Sequence, residues 1–218
     1  MRVLVIDTAL DACTAAVFEE GRALGLRSEV MARGHSERLG GFVRDAVAEA
    51  GGGFEALDRI GVTVGPGSFT GLRVGLAFAQ GLGAALGLPV VGVSTLAALA
   101  RSADGGQGTM AAVIDARRGQ VYLQLFETGH PASAPEAVSL EDAIARLADR
   151  SWRITGSGAT LVGGEVSTVT APDPAALAAL TVALDPANHP PRPLYLRAPD
   201  ATPPTRLPGQ ARPVVSGA

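Results

Sequence analysis

Met1-Arg-Val-Leu-Val-Ile-Asp7-Thr8-Ala9 is a short apolar run closed by an aspartate and a turn, and Ala111-Ala-Val-Ile-Asp115-Ala-Arg-Arg-Gly-Gln120 repeats it. Continuous apolar runs of this length suit strands buried on both faces. Each is followed by a second strand: Thr14 to Glu19 after the turn Leu10-Asp11-Ala12-Cys13, and Val121 to Phe126 after the later run. The two Ile-Asp pairs lie 115 − 7 = 108 positions apart, about half of the 218 residues. A hairpin recurring at half-length favours two copies of one α/β unit. A single mixed sheet carrying two similar hairpins is the alternative.

Two helical segments lie between the hairpins. Ser36 to Ala50 sets Leu39, Phe42, Val43, Ala46, Val47 and Ala50 on one face, with Ser36 as the expected N-cap, Glu37 in the first turn and Gly51-Gly-Gly53 as the stop. Ile60 to Val64 reads as a strand, Gly65-Pro66-Gly67 as a turn, Phe69 to Leu86 as a long helix and Leu88 to Val93 as a strand. In the second half, Glu141 to Ala148 reads as helix and Trp152 to Thr155 as strand. Asp173-Pro174 fits an N-cap followed by proline at the first helical position, opening a helix to Ala183. The expected division is a first lobe over 1–100, a second over 101–198, and a tail over 199–218. Nine of the 15 prolines fall from Pro186 onward, so the tail is expected to be extended.

A net charge of −3 gives no general attraction for phosphate backbones, which leaves room for another subunit to hold any nucleic acid involved. The single cysteine, Cys13, excludes an internal disulfide and a cysteine-rich zinc site. Asp7 ends the N-terminal apolar run too early for a signal peptide, and no uninterrupted apolar stretch has membrane-crossing length, so the cytoplasm is the expected compartment.

Gly65-Pro66-Gly67-Ser68-Phe69-Thr70-Gly71-Leu72-Arg73-Val74-Gly75 suggests a phosphate cradle at a helix start, but a P-loop requires a Lys followed by Ser or Thr, and neither is present. Gly71, Gly75, Ala79 and Gly83 instead recur every fourth position. Each glycine inside a helix costs about 1 kcal/mol relative to alanine, which calls for close approach of another backbone. That neighbour is either an internal strand or helix, or a partner's helix, and Val74, Phe78 and Leu82 form an adjacent apolar ridge.

His35, His130 and His189 show no metal-ligand spacing, and no serine sits in a G-x-S-x-G elbow. Asp7 and Asp115 end the strands where actin-like phosphotransferases keep acidic residues near phosphate and metal. Such sites need a glycine- and hydroxyl-rich turn, whereas Thr8-Ala9-Leu10-Asp11-Ala12 has no glycine and an additional negative charge.

Taken in order, Leu4-Val-Ile-Asp7-Thr8, His35-Ser36-Glu37-Arg38-Leu39, the Gly65 to Gly75 string, Gly92-Val-Ser-Thr-Leu96, Ile114-Asp115-Ala-Arg117 with Val121-Tyr122, and Tyr195-Leu-Arg197 resemble the bacterial TsaB (YeaZ) family of tRNA threonylcarbamoyladenosine biosynthesis proteins. The family usually has Ser where Ala9 stands. The resemblance implies two RNase H-like lobes of the actin-like ATPase superfamily. It also implies an accessory subunit, not a catalyst, that pairs with a catalytic paralogue, TsaD, alongside the ATPase TsaE, and that self-pairs when alone. ATP, metal and tRNA would then be handled in the complex, with no cofactor on this chain. Val93-Ser94-Thr95-Leu96-Ala97 has no histidine where the paralogue binds metal. Carried over, the family's pairing helices implicate Leu39, Phe42, Val43, Val47, Leu72, Gly75, Leu76, Ala79 and Gly83 as the partner interface. The alternatives are an actin-like kinase or ATPase using Asp7, Asp115 and Gly156-Ser157-Gly158, and, last, a peptidase.

Overall fold

Strand β1 (Arg2–Asp7) forms the centre of a five-stranded sheet because both of its faces are apolar. Leu4 and Ile6 point into one core and Val3 and Val5 into another. The computed structural model describes residues 1–104, 107–148, 152–163, 165–166 and 169–197. The tail expected over 199–218 lies outside the described residues. After β1 come β2 (Ala12–Glu19), β3 (Arg22–Val30), α1 (His35–Ala50), β4 (Arg59–Gly65), α2 (Phe69–Leu86), β5 (Val90–Ser94) and α3 (Thr95–Asp104). The sheet order is β3-β2-β1-β4-β5, with β1, β2 and β3 antiparallel and β1, β4 and β5 parallel.

The second half contains β6 (Thr109–Arg117), β7 (Gln120–Glu127), β8 (His130–Pro131), β9 (Glu136–Ser139), α4 (Leu140–Ala148), β10 (Arg153–Thr155), α5 (Ala159–Val162), β11 (Glu165–Val166) and α6 (Pro174–Ala183). Its sheet repeats the first pattern. Strand β6 pairs antiparallel with β7, β9 pairs antiparallel with β7, and β10 and β11 extend the other side in parallel. The two lobes expected from the Ile-Asp repeat are therefore present, each a central strand with the same neighbours.

Helices α1 and α2 cover the face of the first sheet that carries Leu4, Ile6 and Val62. The opposite face, with Val3, Val5, Phe18, Val91 and Val93, is covered by Leu177 and Ala178 of α6 and Ala98 of α3. Helix α3 also supplies Leu96 and Leu99 to the inner face of the second sheet, against Met110, Ala112 and Ile114. A boundary at residue 100 thus cuts through the element that joins the lobes.

Helix α6 further corrects that boundary, since it belongs by packing to the first sheet. Arg59 of β4 donates to the carbonyls of Thr181 (3.0 Å), Val182 (3.3 Å) and Leu184 (3.0 Å), closing the helix C-terminus with a guanidinium. The segment after α6 continues along the first lobe. Gly92 N–H donates to His189 O at 2.8 Å and Leu194 N–H to Val64 O at 2.7 Å, before Arg197 reaches the second lobe at Ala116 O, 2.9 Å away.

Two local expectations are revised. Ser36 lies inside α1 and does not cap it; the N-cap is Gly34, in the left-handed region at φ 87°, whose carbonyl accepts from the Glu37 and Arg38 amides. Strand β3 is an addition to the sequence reading. Asp173 does cap α6, its carboxylate accepting from Ala175 N at 2.7 Å.

Candidate functional site

Asp7 and Asp115 occupy equivalent ends of the central strands, and each folds its carboxylate back on its own turn. Asp7 Oδ1 accepts from Ala9 N at 3.0 Å, and Asp115 Oδ1 accepts from Arg117 N at 2.7 Å. Their surroundings then diverge. Asp7 is buried and also accepts from the Thr63 hydroxyl at 2.7 Å; burial raises its pKa, against the lowering effect of these two hydrogen bonds and of His35 nearby. Asp115 is partly exposed and forms an ion pair with Arg117 at 3.1 Å, while its amide donates to Ser157 Oγ at 3.2 Å. A cleft of about 620 Å³ runs between the lobes here, lined among others by Leu10, Asp11, Ser68, Asp115, Arg117, Tyr122 and Ser157.

The glycine motif closes the turn after β1. Ser68 N–H donates to Ala9 O at 2.7 Å, and the Thr8 hydroxyl donates to Gly71 O at 2.8 Å. A Cβ at Gly67 would fall closer than 3.0 Å to Ala9 O, and one at Gly71 closer than 3.0 Å to Thr8 O. The start of α2 therefore rests directly on carbonyl oxygens of the turn that would have to present amides to a phosphate. Gly65 takes φ 111° and packs against Leu194 O, and Gly65, Pro66 and Thr8 are buried. Ser68 caps α2, its hydroxyl accepting from Gly71 N at 3.2 Å. Phe69, Thr70 and Arg73 face solvent, as do Ser36 and Glu37 of α1, while His35 is buried with no hydrogen-bond partner for Nε2. At the segment expected to have lost metal ligands, Ser94 Oγ accepts from Ala97 N at the start of α3. Among the described residues, no three His, Cys, Asp or Glu side chains converge.

The nine residues assigned to a partner interface are located elsewhere than expected. Leu39, Phe42, Val43, Val47, Leu72, Leu76 and Ala79 are buried core residues of the first lobe. Gly75 lies on Thr8, and Gly83 on Val90 of β5. The glycine stripe is thus the seat of α2 on its own sheet. The opposite side of α2 is also apolar: Val74, Phe78 and Leu82 are half-buried, and Ala77, Gly81, Ala84 and Ala85 are exposed. Gly40 of α1 sits beside Phe78, and a Cβ at Gly41 or Gly81 would meet nothing within 4 Å. The helix has the length and hydropathy of a membrane-crossing segment, contrary to the sequence expectation, but a third of it is buried in this protein. The sequence signal for the outer face was the Val74-Phe78-Leu82 ridge, which belongs to a helix too apolar for a single buried side.

Two lobes with one strand order, joined by a helix and facing each other across a cleft, define a pair of RNase H-like lobes. A family model described as TsaD, tRNA N6-adenosine threonylcarbamoyltransferase, matches residues 18–162. The solved structure titled YeaZ from Pseudomonas aeruginosa has a TM-score of 0.74 and 32% identity, covering 89% of this chain and 99% of that one. The tRNA threonylcarbamoyladenosine biosynthesis protein TsaB of Escherichia coli is 38% identical over 129 residues, 58% of this chain and 55% of that protein. The TsaB of Bacillus subtilis is 32% identical over 127 residues, 58% of this chain and 56% of that protein. The chain thus spans about half the length of these two TsaB relatives. The chain belongs to the TsaB/YeaZ family, whose named members serve tRNA threonylcarbamoyladenosine biosynthesis.

Proposed function

We propose that this protein is the accessory subunit of the machinery that forms threonylcarbamoyladenosine at position 37 of tRNA. It pairs with a TsaD-type catalytic paralogue and works with the ATPase TsaE, without a nucleotide, metal or catalytic residue of its own. The reaction would take place in the cytoplasm, on the paralogue. The observation that carries this reading is the outer face of α2 and α1: an apolar surface of small side chains, Gly40, Gly41, Ala77, Gly81, Ala84 and Ala85, beside Val74 and Phe78. Small residues let a second helix pair come close, and a face this apolar is unusual on a surface with no partner. The closed turn at Thr8 and Ala9 supports the absence of phosphate chemistry. Isolated chains would use the same face to self-pair.

The test is co-elution with the TsaD paralogue of the same organism. A Gly81→Arg substitution projects into open space, so it should not lower the melting temperature, yet should abolish co-elution and abolish threonylcarbamoyladenosine in tRNA from the complemented deletion strain. Retained co-elution by the folded variant would remove α2 from the interface. Unchanged modified nucleoside in the deletion strain would remove the reading itself.

A further inference from the structure

An aromatic and arginine cluster stands where α2 begins, next to Ser68 of the cleft lining. Phe69 and Tyr195 are 47% and 44% exposed, and their ring centroids lie 5.4 Å apart with planes tilted by 37°. The Arg73 guanidinium sits 3.7 Å from the Phe69 centroid, with Nε 3.4 Å from the Tyr195 hydroxyl. No ion pair joins Arg73 to a carboxylate among the described residues. Its positive charge is held flat against a ring and open to solvent.

The cluster continues into a row of arginines. Tyr195 is placed by the Leu194 amide bonded to Val64, and two residues later Arg197 donates to Ala116 O at 2.9 Å. Ala116 leads into Arg117 and Arg118, the turn between β6 and β7, and both adopt positive φ, 64° and 55°. Such a turn normally takes asparagine or glycine, and a bulky residue there costs on the order of 1 kcal/mol. Two in succession, with the Arg117 side chain 81% exposed, hold strained backbone where it presents positive charge outward. On a chain of net charge −3, Arg73, Arg197, Arg117 and Arg118 are thus linked to one another through Tyr195 and Ala116, with Arg117 paired to Asp115.

We infer that Phe69, Arg73 and Tyr195, with Arg197, Arg117 and Arg118 beside them, form a binding surface for a single-stranded loop of RNA. An unpaired base stacks on the exposed rings, and the adjoining phosphates lie on the arginines. Aromatic faces stack any base, and guanidinium groups fit phosphate oxygens in pairs. RNA loops, unlike duplexes, offer bases free to stack. The identity of the RNA as a tRNA anticodon loop rests on the function proposed above; the platform itself does not. A negative overall charge fits a local contact that orients an RNA held chiefly by a partner.

The experiment is fluorescence anisotropy with a labelled 17-nucleotide RNA hairpin carrying a seven-nucleotide loop, against a blunt duplex of the same length. It is run on the full chain and on its complex with the TsaD paralogue. The complex should prefer the hairpin. Phe69→Leu and Tyr195→Leu should each weaken the hairpin about tenfold and leave the duplex unchanged, the scale expected for one stacked base. Arg117→Ala with Arg118→Ala should weaken both RNAs and flatten the salt dependence. Hairpin affinity within twofold of wild type in a folded Phe69→Leu, Tyr195→Leu variant would overturn the proposal. So would loss of co-elution with the paralogue in that variant, which would assign the rings to a protein contact. Neither result touches the deletion-strain assay, so the two readings fail separately.

Discussion

Replacing Gly75 with alanine puts a methyl group closer than 3.0 Å to the Thr8 hydroxyl, and that hydroxyl is already committed to Gly71 O at 2.8 Å. Either Thr8 leaves its rotamer or α2 lifts from the sheet. Overpacking of this kind costs about 1–3 kcal/mol, and a disturbed buried hydrogen bond adds about 1 kcal/mol. Better helix propensity returns about 1 kcal/mol. The net loss is about 2 kcal/mol, which for a chain of this size lowers Tm by about 4–8 °C. Gly81 is the control on the same helix. Nothing lies within 4 Å of a Cβ there, so Gly81→Ala keeps the propensity gain and should raise Tm by about 1–4 °C. Thermal melts followed by circular dichroism read both signs. A Gly75→Ala protein that melts at or above wild type would refute the docking of the glycine stripe on β1. The same contrast disqualifies Gly75 as a probe of partner binding, because a bulky residue there would damage the lobe before any partner was met.

Three further outcomes follow from the core. Arg59→Met keeps the aliphatic stem but removes three hydrogen bonds to the end of α6; urea unfolding should show a loss of about 1–3 kcal/mol, and an unchanged midpoint would detach Arg59 from that role. Burial raises the Asp7 pKa, so the folded state holds that proton more tightly than the unfolded chain. The resulting stability is present below the unfolded carboxylate value of about 4 and is lost as pH rises through the folded value. Asp7→Asn should therefore gain on wild type as pH increases from about 4 upward, and parallel urea midpoints across that range would contradict it. Burial, with Asp7 and Glu29 adding to it, pushes the Cys13 thiol up to about 11. Ellman's reagent at pH about 8 should find no reactive thiol in native protein and one after denaturation; rapid labelling of the native state would be inconsistent with the buried position.

The lobes were legible in the sequence because β1 and β6 are apolar on both sides, and few other elements tolerate that pattern. Helix α2 was legible end to end, since Ser68 and Gly87 bracket one unbroken periodic run. Strand β3 was not, because it is an edge strand whose Ala23, Leu24, Leu26 and Val30 follow no strict alternation, with Gly25 among them and Arg22, Ser28 and Glu29 exposed. The Ser36 cap was a reasonable inference from residue type, but a left-handed Gly34 offers its carbonyl two residues earlier. For the site, the apolar stripes of α1 and α2 were found correctly and given to the wrong neighbour. A helix satisfies its own sheet first, so its most periodic residues, Leu39, Val43, Leu72 and Leu76, are core. A second, outer face shows only as residues that a core does not need, such as Ala77, Gly81 and Ala85. The packing of α6 was invisible for another reason: nothing local to Ala175–Ala183 encodes contact with Val3 and Val93.

That packing has a consequence for how the molecule is made. Val3 and Val5 are synthesised well before their outer cover, Leu177 and Ala178, which leaves the ribosome some 170 residues later, followed by the segment that seals Gly92 and Val64. A nascent chain halted near residue 104 would carry a sheet with one clothed side and one bare side of valines. The first half to emerge is therefore the last to be finished. Any fragment cut between the lobes should be sticky and chaperone-dependent, while joining residues 170–197 to the first hundred through a flexible linker would be the shortest route to a free-standing N-terminal lobe.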